Sequence, residues 1–203
     1  MRSWMISKPV KFQGFTLMEL LIAIAVLSIL LSIGVGSYSS LFKRNELRGA
    51  SESLYSLLTY AKSESIKSNT NIAVSFTDGN NGEWCAGVRT VTVAKNTCDC
   101  TLTDPDATDA CSITANTTPP VKRLVVINGD EFKKVNLKAL GSMTDKTIIF
   151  DNVRGMPVQT SRTLGHIEIE TLDPNNKVRI KTNVMGNVST CTVTGSSDYS
   201  ACS

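Results

Sequence analysis

The feature that most constrains this chain is a long apolar run near its N-terminus. Residues 15–38 read FTLMELLIAIAVLSILLSIGVGSY, which is 24 residues with no proline and one charged side chain, Glu19. About 20 apolar residues at 1.5 Å each cross the hydrocarbon core of a bilayer, so this run is long enough to span it as a helix. We therefore predict a transmembrane helix over residues 15–38.

The basic side chains that precede this run predict its orientation. Arg2, Lys8 and Lys11 lie in the first 14 residues, which contain no acid. Positive charge before a membrane helix favours a cytoplasmic N-terminus, with the rest of the chain exported. The chain has 21 basic and 18 acidic side chains, and three of the basic ones lie in this leader, which leaves 18 against 18. A neutral remainder excludes a basic protein that coats nucleic acid, and ordinary hydrophobicity excludes a disordered chain.

A cleaved secretory signal is the alternative interpretation of the apolar run. Such a signal has a shorter apolar core without an acid, followed by small residues at its cleavage site. Ala23 and Ala25 have the required spacing, but they lie in the middle of the run. The pattern therefore favours a retained membrane helix.

Helical periodicity continues beyond the apolar run. Apolar side chains recur at spacings of three and four from Leu47 to Ala61, and charged side chains occupy the other faces. Proline is absent from residues 15–68, and the sequence Asn-Thr-Asn at residues 69–71 is the predicted end of the helix. We predict an amphipathic continuation of the helix over residues 39–69.

From residue 70 onward, the pattern changes to short strands. Seven segments have strand-type patterns: 72–76, 84–93, 122–127, 147–150, 165–172, 177–184 and 190–194. Turn-forming residues separate them at 78–82, 128–130 and 173–176. The predicted fold class is α+β, in which the long N-terminal helix packs on an antiparallel sheet or small sandwich formed by residues 70–203.

The clearest hairpin pairs residues 166–170 with residues 177–181. Both arms alternate apolar and charged side chains with period two. The side chains predicted to face inward are Ile167, Ile169, Val178 and Ile180. The side chains predicted to share the solvent face, where cross-strand ion pairs are expected, are Glu168, Glu170, Lys177, Arg179 and Lys181.

The start of the apolar run resembles the class III signal of type IV pilins and pseudopilins. The resemblance rests on the basic leader and on residues 14–21, which read GFTLMELL. It implies that a prepilin peptidase cleaves the Gly14–Phe15 bond, removes residues 1–14 and N-methylates Phe15. It also implies that Glu19 pairs with the N-terminal amine of a neighbouring subunit, because a buried carboxylate and a buried ammonium are each costly alone. Met18 departs from the family pattern, in which Ile or Leu is more usual.

The whole layout resembles the FimT/FimU/GspH group of minor pilins and pseudopilins. These proteins share the long helix, a strand-rich domain, and a final hairpin followed by a glycine and a cysteine, here Gly186 and Cys191. The resemblance implies a non-enzymatic minor pilin of a type IV pilus, in a priming or tip complex that supports adhesion, twitching motility or DNA uptake. The implied partners are prepilin peptidase, the inner-membrane assembly platform, other minor and major pilins, and membrane lipid before assembly. The implied location is the bacterial inner membrane, with the C-terminal domain periplasmic, and then the fibre at the cell surface.

Two alternatives to a minor pilin stay open at this point. A minor pseudopilin of a type II secretion system shares every N-terminal feature and differs in its neighbours. A plain membrane-anchored binding domain would not be processed, so it would retain Met1 after insertion.

All six cysteines lie beyond the apolar run, in the part of the chain expected to be exported, where disulfides are the default. Six cysteines allow 15 pairings. The resemblance implies one of them, Cys191–Cys202, which closes the last loop. The remaining four would pair among themselves, in an order that the sequence leaves open: Cys85, Cys98, Cys100 and Cys111.

We expect no metal and no cofactor. Zinc is the rival to disulfides, but Cys98-x-Cys100 lacks the usual two-residue gap, and the one histidine, His166, lies far from it. An acidic stretch between Asp99 and Asp109 lacks the spacing of an EF-hand, so it indicates a solvated loop. His166 has no nucleophile near it in sequence, and no Gly-x-Ser-x-Gly or phosphate-loop motif occurs. The sequence therefore supports no catalytic residue.

DNA contact is a further hypothesis, which rests on local charge. Lys177, Arg179 and Lys181 share one strand face, from which they could contact phosphates. Other basic side chains in this half of the chain are Lys122, Arg123, Lys133, Lys134 and Lys138. Some FimT-like minor pilins capture DNA through a Gly-Arg-x-Arg motif, but residues 186–189 here read Gly-Asn-Val-Ser. Neither arginine is present, and the neighbouring glutamates of the hairpin are expected to neutralise part of the basic face.

Overall fold

A computed structural model describes residues 14–115, 117–141, 143–158, 165–172, 175–195 and 199–202, apart from the side chains at 33–37 and 39. Most of the predicted leader, residues 1–13, and part of the predicted turn at 173–176 lie outside the described residues. The chain forms two compact units, Met1–Ser39 and Ser40–Ser203. Among the described residues, no helix has a stretch both long enough and apolar enough to cross a membrane.

A single helix, α1 (Leu17–Ser68, 52 residues), runs through both units. It ends where the sequence predicts, because Asn69 adopts the left-handed conformation, with a φ of 52°. The Asn69 N–H donates to the Ile66 carbonyl, and the Thr70 N–H donates to the Ser65 carbonyl. These two bonds form a Schellman motif, which satisfies the last carbonyls of the helix.

In the part of the chain that the structure describes, ten strands follow the helix. They are β1 (Ile72–Thr77), β2 (Cys85–Thr90), β3 (Ser112–Ala115), β4 (Val121–Leu124), β5 (Val126–Asn128), β6 (Asn136–Leu140), β7 (Thr147–Phe150), β8 (His166–Thr171), β9 (Asn176–Thr182) and β10 (Val188–Thr194). Their pairings are antiparallel and give a first sheet with the order β5-β2-β1-β7, a second sheet with the order β10-β9-β8-β6, and a small third sheet, β3-β4. An antiparallel bridge from Gly79 to Leu137 links the first two sheets. The predicted α+β class is confirmed.

The core forms where the amphipathic part of α1 packs on the inner faces of the two larger sheets. The predicted apolar stripe of the helix is buried, with Leu54, Leu58 and Ala61 fully covered. From the sheets, the fully buried side chains include Val74, Val88, Phe150, Ile167 and Ile180. Burying a side chain of this kind contributes about 1.5–3 kcal/mol, so the stripe fixes this part of the helix to the sheets.

The predicted final hairpin is confirmed in its register. Ile167 pairs with Ile180, and Glu168 pairs with Arg179, so the apolar side chains lie on one face and the charged ones on the other. One detail of the prediction is wrong, because Glu168 does not lie in solvent. It is 8% exposed, beneath the long basic side chains around it.

Other strands differ from their predicted bounds. The predicted strand 122–127 is two strands, because the chain changes partners at Val125, whose N–H donates to Cys111 and whose carbonyl accepts from Val88. The predicted strand 84–93 is shorter, since the chain turns after Val91, where the Thr92 N–H donates to the nearby Lys95 carbonyl and no longer to β1. The sequence does not predict strands β3 and β6, because β3 has only two adjacent β-branched residues and β6 has no β-branched or aromatic residue.

Candidate functional site

The predicted processing site lies immediately before the helix. Gly14, Phe15 and Thr16 have no regular secondary structure, and α1 begins at Leu17. Phe15 is 82% exposed, and open space surrounds the α-carbon of Gly14. The Gly14–Phe15 bond is thus an exposed, non-helical peptide bond, which is the form of backbone that a peptidase can reach.

Thr16 caps the helix, which the sequence analysis missed. The Glu19 N–H donates to the Thr16 Oγ1 at 3.2 Å, so one of the orphan donors of the first turn is satisfied. Thr16-x-x-Glu19 has the sequence of a capping box, and that spacing could have identified the cap. Glu19 itself is exposed on the first turn of α1 in the single chain.

The helix beyond Glu19 presents an unusually apolar surface. Its large hydrophobic side chains from Leu17 to Leu31 are between 49% and 77% exposed. A contiguous exposed surface of this kind marks a site of contact with lipid or with other proteins. Glu19 and the predicted processing site at Gly14–Phe15 therefore lie at the start of an exposed apolar surface.

The six cysteines form three disulfides. The last, Cys191–Cys202, is the pairing that the resemblance implies. The other two are Cys85–Cys100 and Cys98–Cys111, which the sequence left open. Gly87 lies against this pair, where a Cβ would be 2.3 Å from the Cys111 Sγ.

The disulfides Cys85–Cys100 and Cys98–Cys111 cross-link the long surface loop between β2 and β3. Arg89 also holds this loop, because its Nη1 donates a hydrogen bond to the Thr97 carbonyl at 2.7 Å. The acidic stretch is exposed to solvent, as predicted, and its carboxylates also bond within their own loop: Asp99 accepts from Thr101, and Asp104 accepts from the Asp106 N–H. Within the part of the chain that the structure describes, no group of three or more His, Cys, Asp or Glu side chains could hold a metal ion.

The outer face of the second sheet carries a network of opposite charges. Glu168 Oε1 accepts from Arg179 Nε at 3.0 Å and from Arg179 Nη2 at 2.6 Å. Lys177 Nζ lies 3.0 Å from Glu170 Oε2 and 3.5 Å from Glu168 Oε2, and His166 Nε2 lies 3.6 Å from Glu168 Oε1. With Lys138 beside Glu170, the two carboxylates lie among four basic side chains.

The pKa values of this network follow from its geometry. Burial acts to raise the pKa of Glu168, but the hydrogen bond and charge of Arg179 together with the charge of Lys177 outweigh it, so the pKa lies below its usual range. The hydrogen bond to Glu170 raises the pKa of Lys177. Burial, followed by the charge of Arg179, lowers the pKa of His166.

Most of the side chains proposed for DNA contact form ion pairs with these carboxylates. Arg179 and Lys177 belong to the network, and Lys138 Nζ lies 3.7 Å from Glu170. Lys181 lies on the same face, in register with His166. On the third sheet, Lys122 Nζ lies 3.2 Å from Asp106. DNA contact stays a prediction, and these ion pairs would have to open for phosphates to replace the carboxylates.

Gly186 has a clear physical role at the turn between β9 and β10. Its φ is +73°, and a Cβ would lie 2.2 Å from the Gly155 carbonyl oxygen. Lys62 of α1 donates to the Met185 carbonyl in the same turn, at 3.4 Å. A glycine is required here because the last hairpin and the turn at Gly155 meet closely beside the helix.

These features define a class of protein: a long N-terminal helix with an exposed apolar first part, joined to a small β domain that carries three disulfides. Two family models match the chain. Type II transport protein GspH matches residues 50–186, and the prokaryotic N-terminal methylation motif matches residues 10–35. The chain belongs to the GspH family and carries the N-terminal methylation motif of its class.

The chain is also similar to solved structures. The type IV minor pilin FimU of Pseudomonas aeruginosa is 18% identical, with 73% of this chain and 90% of that chain covered and a TM-score of 0.42. The minor pseudopilin EpsH from the Type 2 Secretion System of Vibrio cholerae is 13% identical, with 72% and 97% covered and a TM-score of 0.45. Among curated proteins, no sequence matches the chain.

Proposed function

We propose that this chain is a minor pilin, cut between Gly14 and Phe15, N-methylated on Phe15 and assembled into a type IV pilus. Pilin and pseudopilin families are structural proteins, and the methylation motif marks a processing site. The observation that carries the proposal is the exposed apolar helix surface from Leu17 to Leu31, with a single acid, Glu19, on its first turn. Lipid covers such a surface before assembly, and the helices of other subunits cover it afterwards.

The proposed organisation follows the sequence. Residues 1–14 are the cleaved leader, residues 15–38 span the inner membrane, residues 39–69 continue the helix, and residues 70–203 form the periplasmic domain. After processing, the domain reaches the cell surface as part of the fibre, in a priming or tip complex. Its partners are prepilin peptidase, the assembly platform and other pilins.

Glu19 provides the test of assembly. In a bundle of helices, its carboxylate would be buried, and the N-methylated amine of a neighbouring Phe15 is the cation that can neutralise it. We expect Glu19→Ala to insert normally and to lower the amount of protein in sheared fibres at least tenfold. Lys67→Ala, which removes an exposed charge from the far end of the same helix, is the control and should leave that amount unchanged. Normal incorporation of Glu19→Ala would refute the pairing.

A minor pseudopilin of a type II secretion system is the second candidate, favoured by the family model that matches residues 50–186. The two candidates share the processing and the helix and differ in their neighbours. Proteins that co-purify with the sheared fibre separate them: minor and major pilins with an adhesin support the pilus, and secretion-system pseudopilins support the alternative.

A further inference from the structure

A groove of about 830 Å³ lies between α1 and the edge of the first sheet, within the unit Ser40–Ser203. One wall is a face of the helix that includes Gly49, Ser53, Leu57 and Tyr60, and the other is the chain from Arg123 to Asn128. Phe132 closes one end, where its ring lies against Gly49 and stacks on Trp84. From Gly49 to Tyr60 the helix rises about 16 Å, the length of a strand of about five residues.

The sheet wall of this groove is an open strand edge. β5 is the outermost strand of the first sheet and pairs on one side with β2. The Gly129 N–H donates to Trp84, the Val88 N–H donates to Val125, and Ile127 lies in register with Ala86 between them. Hydrogen-bonded pairs alternate along an antiparallel ladder, so the N–H and C=O groups of Val126 and Asn128 point the other way, toward the groove.

The two ends of the groove differ in charge. At one end, Arg123 donates to the Tyr60 hydroxyl at 3.2 Å. At the other end, next to Phe132, the exposed side chain of Glu131 contributes a negative charge. Leu57 and Phe132 give the space between them an apolar lining. The groove therefore offers backbone hydrogen-bonding groups, an apolar floor and charged ends of opposite sign, and Glu52 on its helix wall is paired with Arg48.

We propose that this groove binds an extended segment of a neighbouring pilin subunit, which adds to the first sheet as a fifth strand beside β5. The inference rests on the proposed function, because assembly into a fibre is what would supply the neighbouring subunit. An extended peptide is the occupant whose backbone can pair with an open strand edge. Its charges are complementary to the groove, with a carboxylate at the Arg123 end, a basic side chain at the Glu131 end and apolar side chains between.

Photocrosslinking in intact bacteria tests the proposal with the full-length chain. A benzophenone residue is placed at Glu131, on the rim of the groove, or at Ser63, an exposed position on α1 outside it. Fibres are sheared, and the crosslinked peptides are identified by mass spectrometry. We expect position 131 to crosslink to a strand or extended loop of another pilin, and position 63 to give no crosslink to that peptide.

Variants at Asn128 distinguish backbone hydrogen bonding between β5 and the added segment from a segment that only lies near the groove. Asn128→Pro removes the N–H that faces the groove, and Asn128→Ala keeps it. The Asn128 side chain is exposed and its backbone is extended, so proline needs a rotation of φ from −99° by about 20° or more, and the amount of each variant in the fibre reports that it folds. We expect the crosslink at 131 to fall about fivefold in Asn128→Pro, the effect of one net hydrogen bond, and to stay unchanged in Asn128→Ala. Arg123→Glu leaves the backbone intact and should lower it as well.

Three results would overturn the strand addition. They are equal yields in Asn128→Pro and Asn128→Ala, a crosslink that maps to the helix of another subunit, and no crosslink from a protein present in the fibre. All three leave the proposed function intact. Absence of the unsubstituted protein from the fibre is a different result, because it contradicts the proposed function itself.

Discussion

Replacing Arg179 by methionine should destabilise the domain, because Glu168 loses its main counter-charge. Glu168 is 8% exposed, and Arg179 donates to it through two nitrogens. A hydrogen bond to a charged group contributes about 1.5–3 kcal/mol, and a buried charge left with no partner costs about 3–5 kcal/mol. Lys177 remains 3.5 Å from Glu168, so we expect the lower range, about 2 kcal/mol. For a domain of this size, that lowers Tm by about 4–8 °C.

The pH dependence of this loss follows from the sign of the shift. The folded-state pKa of Glu168 lies below the ordinary value of about 4.3, so its ionised form stabilises the fold fully above that value. The contribution is lost as the pH falls through the lowered pKa. The difference between Arg179→Met and the unsubstituted protein should therefore be largest near pH 7 and should shrink below pH 4.

Thermal and urea unfolding of the purified protein at pH 7 and at pH 3.5 provide the measurement. Lys138→Met is the matched control, because its side chain is 55% exposed and its nitrogen is 3.7 Å from Glu170, and it should change stability by less than about 0.5 kcal/mol. A loss in Arg179→Met no larger than in Lys138→Met, or one equal at both pH values, would refute the reasoning.

Three further predictions concern the last hairpin and its surroundings. Gly186→Ala should destabilise the domain by about 2 kcal/mol or more in urea unfolding, because the left-handed backbone and the Gly155 carbonyl both oppose a Cβ; a loss under 0.5 kcal/mol would contradict the close approach. Replacing Cys191 and Cys202 together by serine opens the loop that this disulfide closes, which has a sequence separation of 11. We expect the free energy of unfolding to fall by about 3 kcal/mol in the same assay. An unchanged urea midpoint would show that the disulfide does not stabilise the domain. The double variant Glu168→Gln, Glu170→Gln should release the neighbouring basic side chains from their ion pairs. We expect its affinity for a short DNA duplex to rise about tenfold at low salt, measured by fluorescence anisotropy. An unchanged affinity would refute the hypothesis of DNA contact through Lys177, Arg179 and Lys181.

The sequence predicts best the elements whose signal is local. The period-two alternation from His166 to Lys181 identifies the hairpin and its inward face, and the apolar spacing from Leu47 to Ala61 identifies the buried face of α1. Both patterns are set by one element packing against the core, so they can be read without knowing its neighbours.

Other features depend on contacts between distant segments, and no local pattern predicts them. β6 contains Asn136, whose Oδ1 accepts from the Asn81 N–H, a contact across 55 positions. The change of hydrogen-bonding partners at Val125 depends on where Cys111 and Val88 lie in the fold. The local pattern of residues 122–127 therefore predicts one strand where the structure has two. At the candidate site, the Thr16 cap was readable from its spacing to Glu19, whereas the burial of Glu168 arises only when the sheet brings the basic side chains together.

The central claim is that this chain is processed and assembled, and the N-terminus of the protein in sheared fibres tests it most directly. Mass spectrometry of that protein should find a chain that begins at Phe15 and carries one methyl group on its amine. A strain without prepilin peptidase should retain the chain in the membrane with its leader attached. A fibre-associated or membrane protein that keeps Met1 in the presence of the peptidase would contradict the account.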